Sequence, residues 1–195
     1  MGFFVPVRRR GHEILDDTTI DAATRIRSIA DVTRSNILFG GRRAAVKAVR
    51  RTLTPGATLT VLDVGTGLAD IPEAIAAFGS HRGARVITIG LDEAADLLHQ
   101  ARGRLSAAVC GNVRALPFRD GSVDVVVCSQ LLHHFQTHEL GPVVRELNRV
   151  ARALVVISDL RRSWLAAAGF WLASYPLNFH PVTRHDGVVS VFRGF

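Results

Sequence analysis

The chain has 195 residues, 48% of them hydrophobic, which is enough for one sizeable core and too little for two independent ones. A mean hydropathy of +0.21 does not make disorder the default reading, and the longest apolar stretch, 164–179, is too short and too broken by Ser174, Pro176 and Asn178 to span a bilayer. The net charge of +7 is nearly all arginine, with Lys47 the one lysine; because the arginines are scattered in pairs with no interleaved aromatics, neither a nucleic-acid partner nor a membrane partner is expected.

Within residues 1–10 apolar residues precede the arginines, the reverse of an export signal. Ile26, Ile29, Ala30 and Ile37 predict a helix ending near Gly40 and Gly41. Ala45, Val49 and Leu53 predict a second one, with Arg42, Arg43, Lys47 and Arg50 facing water, and Thr54-Pro55-Gly56 then breaks the chain. Five short apolar runs follow, at 58–64, 85–91, 107–110, 123–128 and 154–157. They are rich in Val, Ile and Leu without alternation, as strands buried on both faces of a parallel sheet are. Helical spacing lies between them, in Ala94, Leu97, Leu98 and Ala101 and again in Leu140, Val143, Val144 and Leu147. Residues 113–122, with Pro117, read as a loop, 164–175 as a helix stopped by Pro176, and 188–192 as a short extra strand. Cys110 and Cys128 lie in apolar runs and read as buried thiols, so a cytoplasmic location is expected.

The alternation of strand and helix predicts an α/β fold with a doubly wound, mostly parallel sheet. One domain is expected, with an N-terminal helical cap over 1–55, a cofactor-binding core over 56–162 and a C-terminal helix and tail over 163–195.

The first strand runs into Asp63-Val-Gly65-Thr-Gly67-Leu-Ala69-Asp70-Ile-Pro72-Glu73. The glycines permit a tight turn and close approach of a ligand to the backbone. Asp70 reads as a helix N-cap with Glu73 at capping-box spacing. A dinucleotide-binding turn has a third glycine where Asp70 stands, and a carboxylate there repels a pyrophosphate. It does not repel S-adenosylmethionine, which has no phosphate and carries a sulfonium and an amino group. Asp92, at the end of the second strand, suits a ribose-binding acid, and also a local cap.

These residues resemble the class I, Rossmann-like, S-adenosylmethionine-dependent methyltransferases, in particular the small-molecule group that includes quinone-biosynthesis methyltransferases. The likeness runs from about Leu59 to Leu160. Asp63-Val-Gly-Thr-Gly67 is similar to the family's first motif, Gly111-Asn-Val-Arg-Ala-Leu-Pro-Phe118 to its G-D-x-x-x-L-P-F, and the run from Val123 to His134 to its F-D-x-V-x-x-x-x-x-L-H-H. The resemblance implies S-adenosylmethionine as cofactor. It implies that Asp63, Gly65 and Gly67 hold the methionine end, Asp92 the ribose, Asn112 and Val113 the adenine, and that Ser129 and Gln130 floor the site near the methyl group. Asn112 stands where the family has Asp, Ala69 replaces its third glycine, and its P-G-G turn before the fifth strand is absent.

Methyl transfer to a small-molecule acceptor, on oxygen or carbon, is therefore expected. Two alternatives stay open, a catalytically degenerate binding protein and an RNA methyltransferase. The nucleobase amino-methylating enzymes' N-P-P-Y tetrad is replaced by Ser129-Gln-Leu-Leu132, which counts against the latter. His133 and His134 are the candidate general bases, with packing as the competing role. No metal is expected. The family's seven strands end in an antiparallel hairpin, which is expected to be missing here. The uncovered fifth strand would then pair with a second copy of the chain, or the sequence is a fragment of a longer reading frame.

Overall fold

The computed structural model describes residues 5–9, 11–17 and 19–195, so the reading of 1–10 lies partly outside the described residues. The chain divides into two compact units, one of residues 35–158 and one of residues 1–34 with 159–195.

The first unit holds the last turn of α1 (Ala22–Leu38), then α2 (Gly41–Val49), β1 (Thr58–Val64), α3 (Asp70–His81), β2 (Arg85–Asp92), α4 (Ala95–Ala101), β3 (Ala107–Cys110), β4 (Val123–Ser129), α5 (Thr137–Val150) and β5 (Ala151–Ser158). The five strands form one parallel sheet in the order β3-β2-β1-β4-β5. The chain builds outward from β1 to β3, then returns to the other side of β1 for β4 and β5. The carboxyl ends of β1 and β4 therefore border the crevice where open α/β sheets bind ligands.

The unbroken apolar runs are explained by burial on both faces. Leu62, Val64, Val126 and Cys128 pack with Val143, Leu147 and Val150 of α5. Their neighbours Val61, Val125 and Val127 face the other way, against Ala45 and Val49 of α2 and Ile71 and Ile75 of α3. Each such side chain contributes about 1.5–3 kcal/mol of burial. Helix α5 starts with a capping box in which the Gln136 backbone N–H donates to Glu139 Oε2 at 2.8 Å and the Gln136 side chain accepts from the Glu139 N–H.

The sheet edges differ from expectation. β3 is only four residues long and mostly exposed, so Cys110 is an exposed thiol, whereas Cys128, on central β4, is buried. β5 starts at Ala151, directly after α5, and among its residues only Val156 is buried. Among the described residues no strand pairs with its outer side.

The second unit contains the larger part of α1, a 3₁₀ turn at Ile14–Asp16, α6 (Trp164–Ser174) and α7 (Pro181–Arg193). Residues 188–192, read above as a strand, lie inside α7. Pro181 at the first turn and a His180 side chain accepting from the Val182 N–H fix that helix start, and α7 packs on α6. Two buried carboxylates organise the unit. Asp31 accepts from the His180 N–H at 2.7 Å and pairs with Arg27 and Arg34. Asp186 accepts from the N–H groups of Ile14 and Leu15 at 2.8 and 2.9 Å. No helix among the described residues is long and apolar enough to cross a membrane.

Candidate cofactor site

β1 delivers its last residues into a turn whose Gly65 and Gly67 have φ of +74° and +53°, a region glycine enters without steric cost. The turn is fastened to the end of β2. The N–H groups of Gly65 and Thr66 both donate to the Leu91 carbonyl, at 2.8 and 3.1 Å, and the Gly67 N–H donates to Asp92 Oδ2 at 2.9 Å. The other carboxylate oxygen of Asp92 accepts from the Ala94 N–H at 3.0 Å. Asp92 thus closes a local turn ahead of α4, whose N-cap is Ala94 rather than Asp92, and ties down the glycine turn, while its side of the turn stays partly open to solvent.

Gly90 completes this fit. A Cβ at that position would lie 2.6 Å from Leu105 Cδ1 and 2.8 Å from Thr66 Cγ2. Gly90→Ala is expected to cost about 1–3 kcal/mol of stability by overpacking. Because Thr66 is one of the displaced groups, ligand affinity should fall as well. A urea titration beside calorimetry with S-adenosylhomocysteine reads both; a variant unchanged in both would show that the turn does not depend on this contact.

Three carboxylates gather around the turn. Asp63 and Asp70 are 2% and 6% exposed. Burial raises the Asp63 carboxyl to about 7, and the neighbouring charges of Asp70 and Asp92 push in the same direction. Burial also raises Asp92, against the backbone N–H groups that stabilise its charge. Asp70 is not the N-cap expected from the sequence. That position falls to Ala69, held at φ +61°, and Asp70 is the first residue of α3. Its carboxylate instead accepts from Asn36 Nδ2 at 3.3 Å.

The remaining predicted residues follow the strand order. Asn112 and Val113 come directly after β3. The Asn112 side-chain oxygen accepts from the Arg114 N–H at 2.7 Å, and the Val113 side chain is buried. Ser129 ends β4, with its hydroxyl buried and without a hydrogen-bond partner among the described residues. Gln130 adopts φ +52°, its N–H donates to the Ser158 carbonyl at 2.7 Å, and its side-chain amide donates to Asn36 Oδ1. His133 and His134 follow in a single 3₁₀ turn, Leu132–His134, with ring centroids 4.3 Å apart; His133 is buried and His134 partly so. The fold thus brings Asp63, Gly65, Gly67, Asp92, Asn112, Val113, Ser129 and Gln130 to the carboxyl edge of four adjacent strands. Asn36, which bridges two residues of this edge, was not anticipated from the sequence.

Residues 62–156 match the family model described as a methyltransferase domain. The matched segment, just under half of the chain, is similar to methyltransferase domains. It contains every candidate residue from Asp63 to His134, and S-adenosylmethionine is the cofactor such a domain takes. Among solved structures, an S-adenosylmethionine-dependent methyltransferase from Aquifex aeolicus is similar in fold, with a TM-score of 0.52 and 21% identity, over 73% of this chain and 74% of that one. The proteins named probable tRNA methyltransferase 9B of Homo sapiens and of Bos taurus are each 38% identical over 72 residues, which is 36% of this chain. The matched stretch is only 15% of the length of those relatives.

The site's chemistry fits the cofactor. A buried group of carboxylates opposes anions and attracts a sulfonium and an ammonium. The exposed glycine turn leaves backbone within reach of a ligand, and the unpartnered Ser129 hydroxyl is a polar group left open at the strand end.

Proposed function

We propose that the chain transfers a methyl group from S-adenosylmethionine to a small-molecule acceptor, at oxygen or carbon, in the manner of the quinone-biosynthesis group. The carboxylate cluster of Asp63, Asp70 and Asp92 around the glycine turn is the observation that carries the reading, because it selects a cationic nucleoside over a phosphorylated one. Asp63, Gly65 and Gly67 would hold the methionine end, Asp92 the ribose, Asn112 and Val113 the adenine, and Ser129 and Gln130 the floor. The cofactor supplies a methyl group already activated on positive sulfur. The protein's part is then alignment and exclusion of water, a contribution of about 7–11 kcal/mol when geometry is tight. His133 or His134 would take the proton of an alcohol or phenol acceptor; a carbon acceptor needs less help.

Three arginines of the sheet unit are taken up by the chain's own carboxylates, which favours a small acceptor over a polyanion. Arg114 pairs with Glu139, Arg149 with Glu146 and Asp120, and Arg152 with Asp124, so these cations are spent on carboxylates of the chain itself. The short stretch shared with tRNA methyltransferase 9B favours RNA as the second reading. Two unbridged cysteines suit a reducing, cytoplasmic location, and the open edge of β5 supports pairing with a second copy of the chain.

Titration calorimetry tests the reading at its base. S-adenosylhomocysteine is expected to bind and NAD is not; the reverse result would sink it. A mass-spectrometric acceptor screen then separates turnover from a degenerate binding protein. RNA binding that weakens steeply with salt, together with RNA methylation, would replace the small acceptor by RNA.

A further inference from the structure

Asn36 lies at the end of α1, outside the methyltransferase domain match, yet its side chain is buried at the carboxyl ends of β1 and β4. Its amide works at both ends. The Nδ2 group donates to Asp70 Oδ2 at 3.3 Å, and the Oδ1 atom accepts from the side-chain amide of Gln130. The two partners are 34 and 94 residues distant, one opening α3 and the other directly following β4.

Both partners need holding. Asp70 is a carboxylate with almost no exposure to water, and close enough to Asp63 to raise its pKa. An N–H donor lowers the cost of keeping such a group charged. Gln130 has a left-handed backbone at φ +52°, which is strained for a residue with a Cβ. Its N–H is anchored on Ser158, and the bond to Asn36 anchors its side chain as well. Immediately beyond it, Leu131 covers Gly65, where an added Cβ would meet Leu131 Cδ2 at 3.2 Å. The conformation of Gln130 therefore sets where Leu131 sits over the glycine turn.

We infer that Asn36 is a positioning residue for the methionine half of the cofactor, setting the Gln130 amide and the Asp70 carboxylate on either side of the glycine turn. The Asn36 carboxamide carries a donor and an acceptor on one carbon and so meets both partners at once. The inference rests on the cofactor site proposed above. It also predicts asymmetry, since Asp70 and Gln130, the hydrogen-bond partners of the Asn36 side chain, follow β1 and β4 in the chain, whereas Asp92, Asn112 and Val113, which would hold the nucleoside, belong to β2 and the end of β3.

The test compares two ligands by calorimetry, S-adenosylhomocysteine, which carries the amino-acid end, and methylthioadenosine, which lacks it. Asn36→Ala is expected to weaken S-adenosylhomocysteine about tenfold or more, the loss of one hydrogen bond to a charged group, and to leave methylthioadenosine within about twofold. Asn36→Asp keeps the size of the side chain and the acceptor for Gln130 but turns an oxygen toward Asp70. It should show the same selective loss, and the melting temperature of each variant, read beside its two affinities, separates repositioning of the site from a failure to fold. Equal weakening of both ligands would mean a merely structural role and would overturn the inference, as would wild-type affinity for S-adenosylhomocysteine in Asn36→Asp. If the unmodified chain binds neither ligand, the site reading itself fails, a result distinct from either of these.

Discussion

Replacing Asp92 by alanine is expected to weaken S-adenosylhomocysteine binding by about 2–4 kcal/mol, roughly 30- to 700-fold. Two effects add. A ribose would lose two charge-assisted hydrogen bonds. The glycine turn would lose its tether as well, because Asp92 Oδ2 holds the Gly67 N–H and Oδ1 holds the Ala94 N–H. Asn in place of Asp keeps one acceptor but presents an NH₂ group to an N–H donor, so Asp92→Asn should fall between wild type and alanine. Calorimetry at pH 8 decides the matter, and an alanine variant within twofold of wild type would remove Asp92 from the site.

Asp63 should make both stability and cofactor binding depend on pH. Its carboxyl is raised to about 7 in the folded chain, chiefly by burial, with Asp70 and Asp92 adding repulsion. Between about pH 4 and pH 7 the folded state then keeps a proton that the unfolded chain has released. Stability of the cofactor-free protein therefore falls as pH rises through that window, by up to about 4 kcal/mol from this group alone. Asp63→Asn should flatten the dependence and melt higher than wild type at pH 8. Binding of the cationic cofactor favours the ionised carboxyl, so affinity for S-adenosylmethionine should rise from pH 6 to pH 8, with proton release at pH 6. Calorimetry in two buffers of different ionisation heat measures that proton. A wild-type stability curve that climbs between pH 5 and pH 8 in parallel with that of Asp63→Asn would refute the assignment.

The strands were legible because burial on both faces leaves an unmistakable trace, the unbroken apolar runs now divided between α5 on one side and α2 and α3 on the other. The candidate residues that stand beside a strand end could be named from the sequence, because a turn after an apolar run marks such an end. Three readings failed for want of tertiary information. Val188-Val189-Ser190-Val191 is β-branched enough to suggest a strand, but packing on α6 overrides that propensity, and the Pro181 start was the signal that could have corrected it. Asp70 sits at capping-box spacing from Glu73, yet the left-handed Ala69 takes the cap and Asn36 takes the carboxylate. Cys110 is apolar in context but stands on a four-residue edge strand. Asn36 itself leaves no local mark, since its meaning lies in partners remote in the chain.

The two tryptophans, Trp164 and Trp171, and the single tyrosine, Tyr175, all belong to α6 or the residue that follows it. The sheet unit, 35–158, contains none of the three. Ultraviolet absorbance and emission above about 290 nm therefore report the helical unit alone, whereas circular dichroism in the far ultraviolet reports both. Coincident unfolding curves from the two signals would mean that the units melt as one cooperative body, and separated curves would give each its own transition, with no engineered label. A tryptophan placed on the sheet unit would then be a clean optical probe of cofactor binding once Trp164 and Trp171 are replaced by phenylalanine.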